Sequence, residues 1–464
     1  MRIFNVRHGF ATNSSSSHSL IFLPNQTDDQ LDGFGEFGWQ DFIAASREQK
    51  EIYVKVLIRN NLNNLVDKEI TSLVLKGMVT DEEKLKAIES VDIDHQSCYA
   101  LPRSWTGKSL DFEFCKELED FFLQDNLVIL GGNDNSYGHP LKSKGSFTLP
   151  LPQDCYPNLT ARKDSKYNYW SIFNRDDGTK VRFGFKDTKE IPFKASAPEL
   201  CDIKITDYCP YECDFCYQGS TAKGKHANLD GIYRFISTLA ELKVWEIAYG
   251  GGEPTLHPDF WRIIKQTKNL GIVPNFTTRN LAWLKDTALA LEAFNNIGGF
   301  AFSTENPADI TALKQLMTDG KYPLEKCYVQ YVMGSTPVSV FEDIFTSAID
   351  SKINITLLGF KQDGRGEEFK QYDYSDWLNR VAKMIEGKYI KFGIDTALAN
   401  ESKVQLKKKK VADYYYEVKE GKFSMYFDAV KNKIGPASYA SSLLMKRISP
   451  DLTANQLKNI FALF

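Results

Sequence analysis

The sequence predicts an α/β protein built around a parallel sheet, and three observations lead there. Between 197 and about 397, six short apolar runs alternate with helical stretches, the pattern of successive βαβ units. The chain is 42% hydrophobic and 25% charged, as a folded globular protein is. Its 464 residues, with 31 Phe, 22 Tyr and 7 Trp, suffice for about two to four domains with real cores. A disordered chain, a collagen and a coiled coil are excluded.

The first third, 1–195, reads as a separate α+β domain of unknown role. Residues 1–10 and 18–23 look like short strands around a polar Asn13–Ser17 turn. Residues 38–65 carry helical periodicity, with Phe42, Ile43, Tyr53, Val54, Val56, Leu57 and Leu62 as the expected core. Further helices are expected at 81–90 and 110–122, and a buried strand at 125–132. The apolar runs 167–173 and 180–185 flank Asn174–Asp177–Gly178, a hairpin signal.

The second unit, 196–400, supplies the parallel sheet. Its expected strands are 201–206, 244–249, 272–277, 299–304, 327–333 and 354–360. Helices are expected at 229–242, 258–269, 282–294, 307–318, 338–350 and 374–386. Right-handed crossovers join such strands, and a sheet of this kind curls into a full or partial barrel. Its ligands then sit at the C-terminal strand ends.

The remainder, 401–464, opens with the Lys run 407–410 and contains a hairpin pattern at 423–435. It carries a net charge of +6 against −9 for the rest, for a total of −3. The whole molecule is thus no general polyanion binder. The bland reading of the Lys run is a solvated face; the sharper one is a patch for an anionic substrate or partner. No signal-peptide run and no apolar stretch of spanning length is present, so a cytoplasmic protein with reduced thiols and no membrane contact is expected.

The eight cysteines carry the most information. A disulfide framework is not expected in a chain this long and this poor in cysteine. Cys98, Cys115, Cys155, Cys201 and Cys327 are scattered and read as small core residues. Cys209, Cys213 and Cys216 instead share one loop, directly after the first strand of the βα series. The C-x3-C-x2-C spacing lets one tight loop wrap three thiolates around one inorganic cluster. A 4Fe–4S cluster takes four thiolates, so three leave one iron an open position, which catalysis needs. The competing site, zinc, wants a fourth Cys or His, and the nearest candidates, His226 and His257, lie at no standard spacing.

Over 197–397 the sequence resembles the radical SAM superfamily, on several motifs in order. Cys209, Cys213 and Cys216 match its cluster triad. Phe215 matches the aromatic residue that packs near the adenine of S-adenosylmethionine (SAM). Gly250-Gly251-Gly252-Glu253-Pro254 matches its glycine-glycine-glutamate-proline motif, which contacts the methionyl amino group. Glycines let backbone carbonyls approach a ligand, and Glu253 adds negative charge near an ammonium. Thr277 and Thr278 end the third strand, and Ser303 and Glu305 the fourth, where such enzymes hold the SAM ribose and carboxylate. Gln330 and Met333–Gly334 fit the fifth strand, and Leu358-Gly359-Phe360 the sixth, which lies along the adenine.

The resemblance implies a partial (β/α)6 TIM-like barrel, one 4Fe–4S cluster and SAM. It also implies a flavodoxin- or ferredoxin-like electron donor. SAM is reductively cleaved to a 5′-deoxyadenosyl radical, which abstracts hydrogen from the substrate. Many peptide-modifying members carry a Cys-rich C-terminal extension with auxiliary clusters. Here no cysteine follows Cys327, and Ser424 and Ala437–Ser438 stand where cysteines are expected, so a single cluster is implied. The other reading of 422–440 is a plain hairpin capping the barrel.

A peptide or protein substrate is the favoured expectation, and a nucleotide or nucleic acid is the alternative. A different class is a non-catalytic iron–sulfur or zinc scaffold that binds a partner. The first third adds three polar clusters: Arg7–His18, Asp92–Ser97 and Gly131–Asn135. Asp92, Asp94, His95, Asp134 and His8 are divalent-metal donors by type.

Overall fold

The computed structural model describes residues 2–7, 18–21, 42–44, 47–63, 68–93, 112–124, 127–131, 147–149, 157–184, 194–385, 391–411, 416–449 and 451–464. In chain order the early strands are β1 (Arg2–Arg7), β2 (His18–Ile21), β3 (Phe42–Ala44), β4 (Val128–Gly131), β5 (Phe147–Leu149), β6 (Leu159–Asp164), β7 (Tyr169–Asn174) and β8 (Lys180–Gly184). The early helices are α1 (Arg47–Asn63), α2 (Lys68–Met78), α3 (Glu82–Ser90) and α4 (Phe112–Phe122).

Strands β3, β4 and β5 form an antiparallel sheet, and Tyr53, Val54, Val56, Leu75, Ile88, Leu118, Phe122 and Ile129 share one core beside it. The stretch 38–65, expected as one helix, divides. Phe42–Ala44 pairs with Ile129–Gly131, and the helix begins at Arg47. Pairing with β4 outweighs the local helical pattern there. Within α1 the expected core residues Tyr53, Val54 and Val56 are buried. The expected hairpin is β7–β8, turned by Gly178 at φ +74°.

The barrel follows as β9 (Leu200–Thr206), α5 (Leu229–Glu241), β10 (Glu246–Gly251), α6 (Phe260–Asn269), β11 (Val273–Thr278), α7 (Thr287–Asn296), β12 (Phe300–Ser303), α8 (Pro307–Asp319), β13 (Cys327–Val332), α9 (Val338–Asp350), β14 (Asn354–Leu358) and α10 (Trp377–Met384). All six expected strands are present and pair in parallel in chain order. A seventh parallel strand, β15 (Lys391–Ile394), was not expected; it is four residues long and interrupted by Gly393. Helices α11 (Thr396–Glu401) and α12 (Lys403–Lys408) follow it.

The last strands are β16 (Ser424–Asp428), β17 (Lys433–Gly435) and β18 (Lys446–Arg447), with α13 (Ala454–Phe461) at the end. β16 and β17 form the expected hairpin, and β16 also adds to β9 in parallel. The sheet order is β18-β17-β16-β9-β10-β11-β12-β13-β14-β15-β2, an unclosed barrel. Its far edge strand, β2, comes from the N-terminal segment and pairs antiparallel with β15. Among the described residues no helix is long and apolar enough to cross a membrane.

Alternation along the strands gives the barrel two unlike faces. Cys201, Ile203, Ile205, Ile247, Tyr249, Phe276, Val329, Tyr331 and Leu357 share the apolar core with the helices. The residues between them, including Asp202, Lys204, Glu246, Asn275, Gln330 and Thr356, are buried and polar. They stand on the opposite, inner face.

At the N-terminal strand ends the sheet β6–β8 packs on the barrel through buried charge. Glu199, fully buried before β9, accepts two hydrogen bonds from Arg182 (2.9 and 2.7 Å) and one from the Tyr169 hydroxyl (3.1 Å). Lys180 bridges Glu199 and Glu246 at 3.5 and 3.6 Å. Trp245 stacks on Phe173 at 5.3 Å, with Arg162 and Lys180 over its ring. Burial alone would push the Glu199 carboxyl up; Arg182, Lys180 and Arg162 outweigh that and hold it far below the usual carboxylate range.

Glu199→Ala leaves those three cations without their shared countercharge. It should cost about 3–5 kcal/mol, read as a lower denaturation midpoint. Because the Glu199 carboxyl is depressed, its contribution is complete above its unfolded value and is lost as pH falls. Wild-type stability should therefore drop below about pH 4, and Glu199→Gln should remove that part of the pH dependence.

Candidate active site

The three cysteines lie on the loop that leaves β9. Both ends of that loop are fixed by backbone hydrogen bonds: Cys209 N–H to Thr221 O at 3.0 Å and Asp207 N–H to Lys225 O at 2.8 Å. Inside it, Cys216 N–H donates to Cys213 O and Gly219 N–H to Cys216 O, both at 3.1 Å. Glu212 turns the chain with φ +48°. All three thiols are free; Cys209 is buried, and Cys213 and Cys216 are half-buried. Burial pushes the Cys209 and Cys213 thiols up, and for Cys213 the neighbouring Arg279 opposes the rise. Thiols of this kind give up their protons on binding metal.

The glycine motif is stitched to the same loop. Gly252 N–H donates to Thr206 O and Glu253 N–H to Tyr208 O, both at 2.7 Å. A Cβ on Gly252 would lie 2.0 Å from Tyr208 O, and one on Gly251, at φ +135°, 2.3 Å from Thr206 O. Two of the three glycines thus answer to the approach of the cysteine strand. Gly250 is the last inner-face position of β10 and pairs with Lys204.

Glu253 is buried, and its carboxylate gathers four donors. They are Thr255 N–H (3.2 Å), the Thr255 hydroxyl (2.6 Å), the Thr278 hydroxyl (2.6 Å) and Arg279 N–H (2.8 Å). Burial pushes its carboxyl up, and these bonds pull against that shift. Pro254 opens the short 3-10 turn that Glu253 caps. Thr278 and Arg279 are thereby held at the end of β11.

From that position Arg279 reaches the cysteines. Its guanidinium donates to Cys213 Sγ at 2.9 Å and pairs with the Glu305 carboxylate at the end of β12. Sequence reasoning named Glu305 and missed Arg279, because an arginine after a strand carries no motif of its own.

The remaining expected residues fall on the same strand ends. The Thr277 hydroxyl donates to Gln330 Oε1 at 3.1 Å, and Ser303 pairs in register with Gln330. Phe215 meets Phe369 edge-to-face at 5.8 Å, and Phe369 stacks on Phe360 at 5.6 Å, an aromatic wall beside the loop. Met333 N–H donates to Leu358 O, and Gly359 N–H to Asp395 Oδ1, both at 2.8 Å. A Cβ on Gly359 would lie 2.5 Å from Leu398 N.

A second polar cluster adjoins the loop on its far side. Buried Lys361 lies 3.2 Å from Asp395 and over the rings of Tyr217 and Tyr439, at 5.0 and 5.1 Å. The Tyr217 hydroxyl lies 3.0 Å from Ser438 Oγ, so a position expected to carry a cysteine in cluster-bearing extensions makes a hydrogen bond instead. Ser424, the other such position, begins β16 opposite Leu200.

Neither histidine of the zinc alternative meets the thiols in its described contacts. His226 Nδ1 lies 2.9 Å from the Thr206 hydroxyl, and His257 Nε2 lies 3.1 Å from Ala227 O. Among the described residues no three His, Cys, Asp or Glu side chains are arranged around one metal ion. A cluster differs from a single ion because each thiolate binds its own iron, so its ligands stand farther apart. Three free thiols on a fixed loop, with an arginine at one sulfur, fit that group. Of the N-terminal donors Asp92, Asp94, His95, Asp134 and His8, only Asp92 lies within the described residues, and it pairs with Arg59 at 2.7 Å. Cys115, Cys201 and Cys327 are buried; Cys98 and Cys155 lie outside the described residues.

Known proteins resemble parts of this chain. PqqA peptide cyclase of Bradyrhizobium diazoefficiens is 31% identical over 78 residues, which are 16% of this chain and 20% of that protein. GTP 3′,8-cyclase of Actinobacillus succinogenes is 32% identical over 89 residues, 16% of this chain and 26% of its own. The chain thus spans about a fifth to a quarter of the length of these curated relatives. The crystal structure of Streptococcus suis SuiB shares the fold at 12% identity and a TM-score of 0.51, over 66% of this chain and 87% of that one. Residues 203–326 match the radical SAM superfamily. The match runs from inside the strand that delivers the cysteine loop to the residue before β13, across the first four βα units.

Proposed function

We propose that this chain is a radical SAM enzyme that modifies a peptide or protein. The observation that carries the reading is the meeting of the Cys209, Cys213 and Cys216 loop, the Glu253 turn and the Arg279–Glu305 pair at one end of the barrel. Bound there, a 4Fe–4S cluster and SAM would supply one-electron cleavage of a sulfonium and hydrogen-atom abstraction.

The chain's own residues divide the remaining work. Cys209, Cys213 and Cys216 would hold the cluster. Arg279 and Glu305, which pair with each other here, are each complementary to one half of an aminocarboxylate, the charged end of SAM. Glu253 fixes the Arg279 backbone and so sets the point from which its guanidinium reaches into the site. Phe215, Phe360 and Phe369 offer an apolar wall to a purine and keep water from that side. Thr277, Ser303 and Gln330 present hydroxyl and amide groups suited to a ribose.

One fact favours a polypeptide substrate: a relative by sequence is a PqqA peptide cyclase. The second reading, a nucleotide substrate, draws on the similarity to GTP 3′,8-cyclases. An external one-electron donor of the flavodoxin or ferredoxin type would be required by either.

Anaerobic reconstitution should load about four irons and four sulfides per chain, and Cys213→Ala should abolish both. With dithionite, the loaded protein should convert SAM to 5′-deoxyadenosine; a fully loaded protein that releases none would sink the enzyme reading. Gly252→Ala should push Tyr208 and the cysteine loop aside and speed cluster loss to a chelator about tenfold, while the barrel stays folded. Short peptides encoded beside this gene should stimulate 5′-deoxyadenosine release and gain a mass change. Stimulation by GTP, and by none of the peptides, would favour the second reading instead.

A further inference from the structure

We infer that Arg365, on the loop after the sixth barrel strand, is a positioning residue that clamps the three-cysteine loop and, through its charge, raises the reduction potential of what that loop holds. The inference rests on the cluster reading above, but its first test does not.

The clamp has three hydrogen bonds, and all end on backbone oxygens of the cysteine loop. Arg365 Nε donates to Cys213 O at 2.8 Å, its Nη1 to Ser220 O at 2.9 Å, and its own backbone N–H to Cys216 O at 3.0 Å. One planar guanidinium thus spans Cys213 and Ser220, seven residues apart in the loop. A rigid fork of donors suits that task, and a lysine's single ammonium does not.

The preceding residue explains how the clamp comes so close. Gly364 adopts φ +56°, and a Cβ there would lie 2.6 Å from Tyr217 O, 2.8 Å from Cys216 O and 2.9 Å from Gly219 N. The two loops are therefore in backbone contact. Gly366 continues it, with its Cβ position 3.4 Å from Phe215 O. Within the cysteine loop only short internal turns hold Cys213 and Cys216. The clamp supplies the cross-bracing from the opposite side of the open barrel.

The electrostatic consequence follows from charge alone. Three thiolates already make the loaded loop electron-rich, and reduction adds one more negative charge. A cation bonded to the Cys213 carbonyl stabilises the reduced state and so raises its potential. Arg279 approaches Cys213 from its sulfur, Arg365 from its carbonyl, so the middle cysteine is flanked by two guanidinium groups.

The first test uses the metal-free full-length protein and hydrogen exchange of amides 209–221. Arg365→Ala should raise exchange there at least tenfold, since hydrogen bonds from a charged donor are lost, while β10 and β13 keep theirs. Arg365→Lys should restore part of the protection. Gly364→Ala, which displaces the clamp without removing its charge, should raise exchange as well. Exchange unchanged in both Arg365→Ala and Gly364→Ala overturns the clamp. If Arg365→Ala does not fold, Arg365→Lys and Gly364→Ala decide the point in the same way.

The second test is a redox titration of the reconstituted protein followed by electron paramagnetic resonance. Arg365→Ala should shift the midpoint to more negative potential, and Arg365→Lys should keep it near the wild-type value. A midpoint unchanged in Arg365→Ala, with exchange raised, leaves a purely structural brace and overturns the electrostatic role. A wild-type protein that takes up no cluster overturns the cofactor reading, and the exchange result then judges the clamp by itself.

Discussion

The carboxylate of Glu253 is the point on which the candidate site depends. Its backbone N–H ties the end of β10 to Tyr208, at the root of the cysteine loop. Its two oxygens hold Thr255 in the following turn and Thr278 and Arg279 at the end of β11. Three consecutive strand ends are thereby locked together. A buried carboxylate is costly to leave unpaired, and four donors offset that cost, so losing any one of them weakens the whole arrangement. Arg279 then carries the geometry to the sulfur of Cys213.

The opposite end of the barrel is closed by a different device. Glu199 draws Arg182, Lys180, Arg162 and Tyr169 of the β6–β8 sheet onto the N-terminal strand ends. A polar inner face lies between the two ends, and an apolar layer lies outside it. One end is thus plugged by paired charge, while the other carries the candidate site. The unclosed edges are also served differently: β2 covers β15, and the β16–β17 hairpin extends the sheet beyond β9.

The C-terminal segment joins this scheme without metal ligands of the cysteine type. Ser438 meets Tyr217, the residue after Cys216, and Tyr439 lies over Lys361 and donates to Glu420. Lys361 in turn meets Asp395, which also accepts from Gly359 and Leu398. Burial would push the Lys361 ammonium down, and Asp395 and its other neighbours more than offset that, so it stays charged. A salt bridge caged by aromatic rings therefore couples the tail, the last strands and the cysteine loop.

The sequence by itself determined the periodic part of the protein and the local chemistry. The six barrel strands were legible because each is a short run between helical stretches, with apolar residues at alternate positions as in CDIKIT at Cys201–Thr206. Cys209, Cys213, Cys216 and the Gly250–Pro254 turn were legible because their spacing is short and their residue types are rare. The tertiary structure decided what required distant segments to meet. Strand β15 has too few residues to announce itself and exists by pairing with β14. Phe42–Ala44 became a strand because β4 lay beside it. Arg279 and Arg365 stand 66 and 152 residues from Cys213, and nothing in their neighbours marks them. They reach it because parallel pairing brings every barrel strand's C-terminal end to one rim, where charge and hydrogen-bond donors far apart in the chain become contacts.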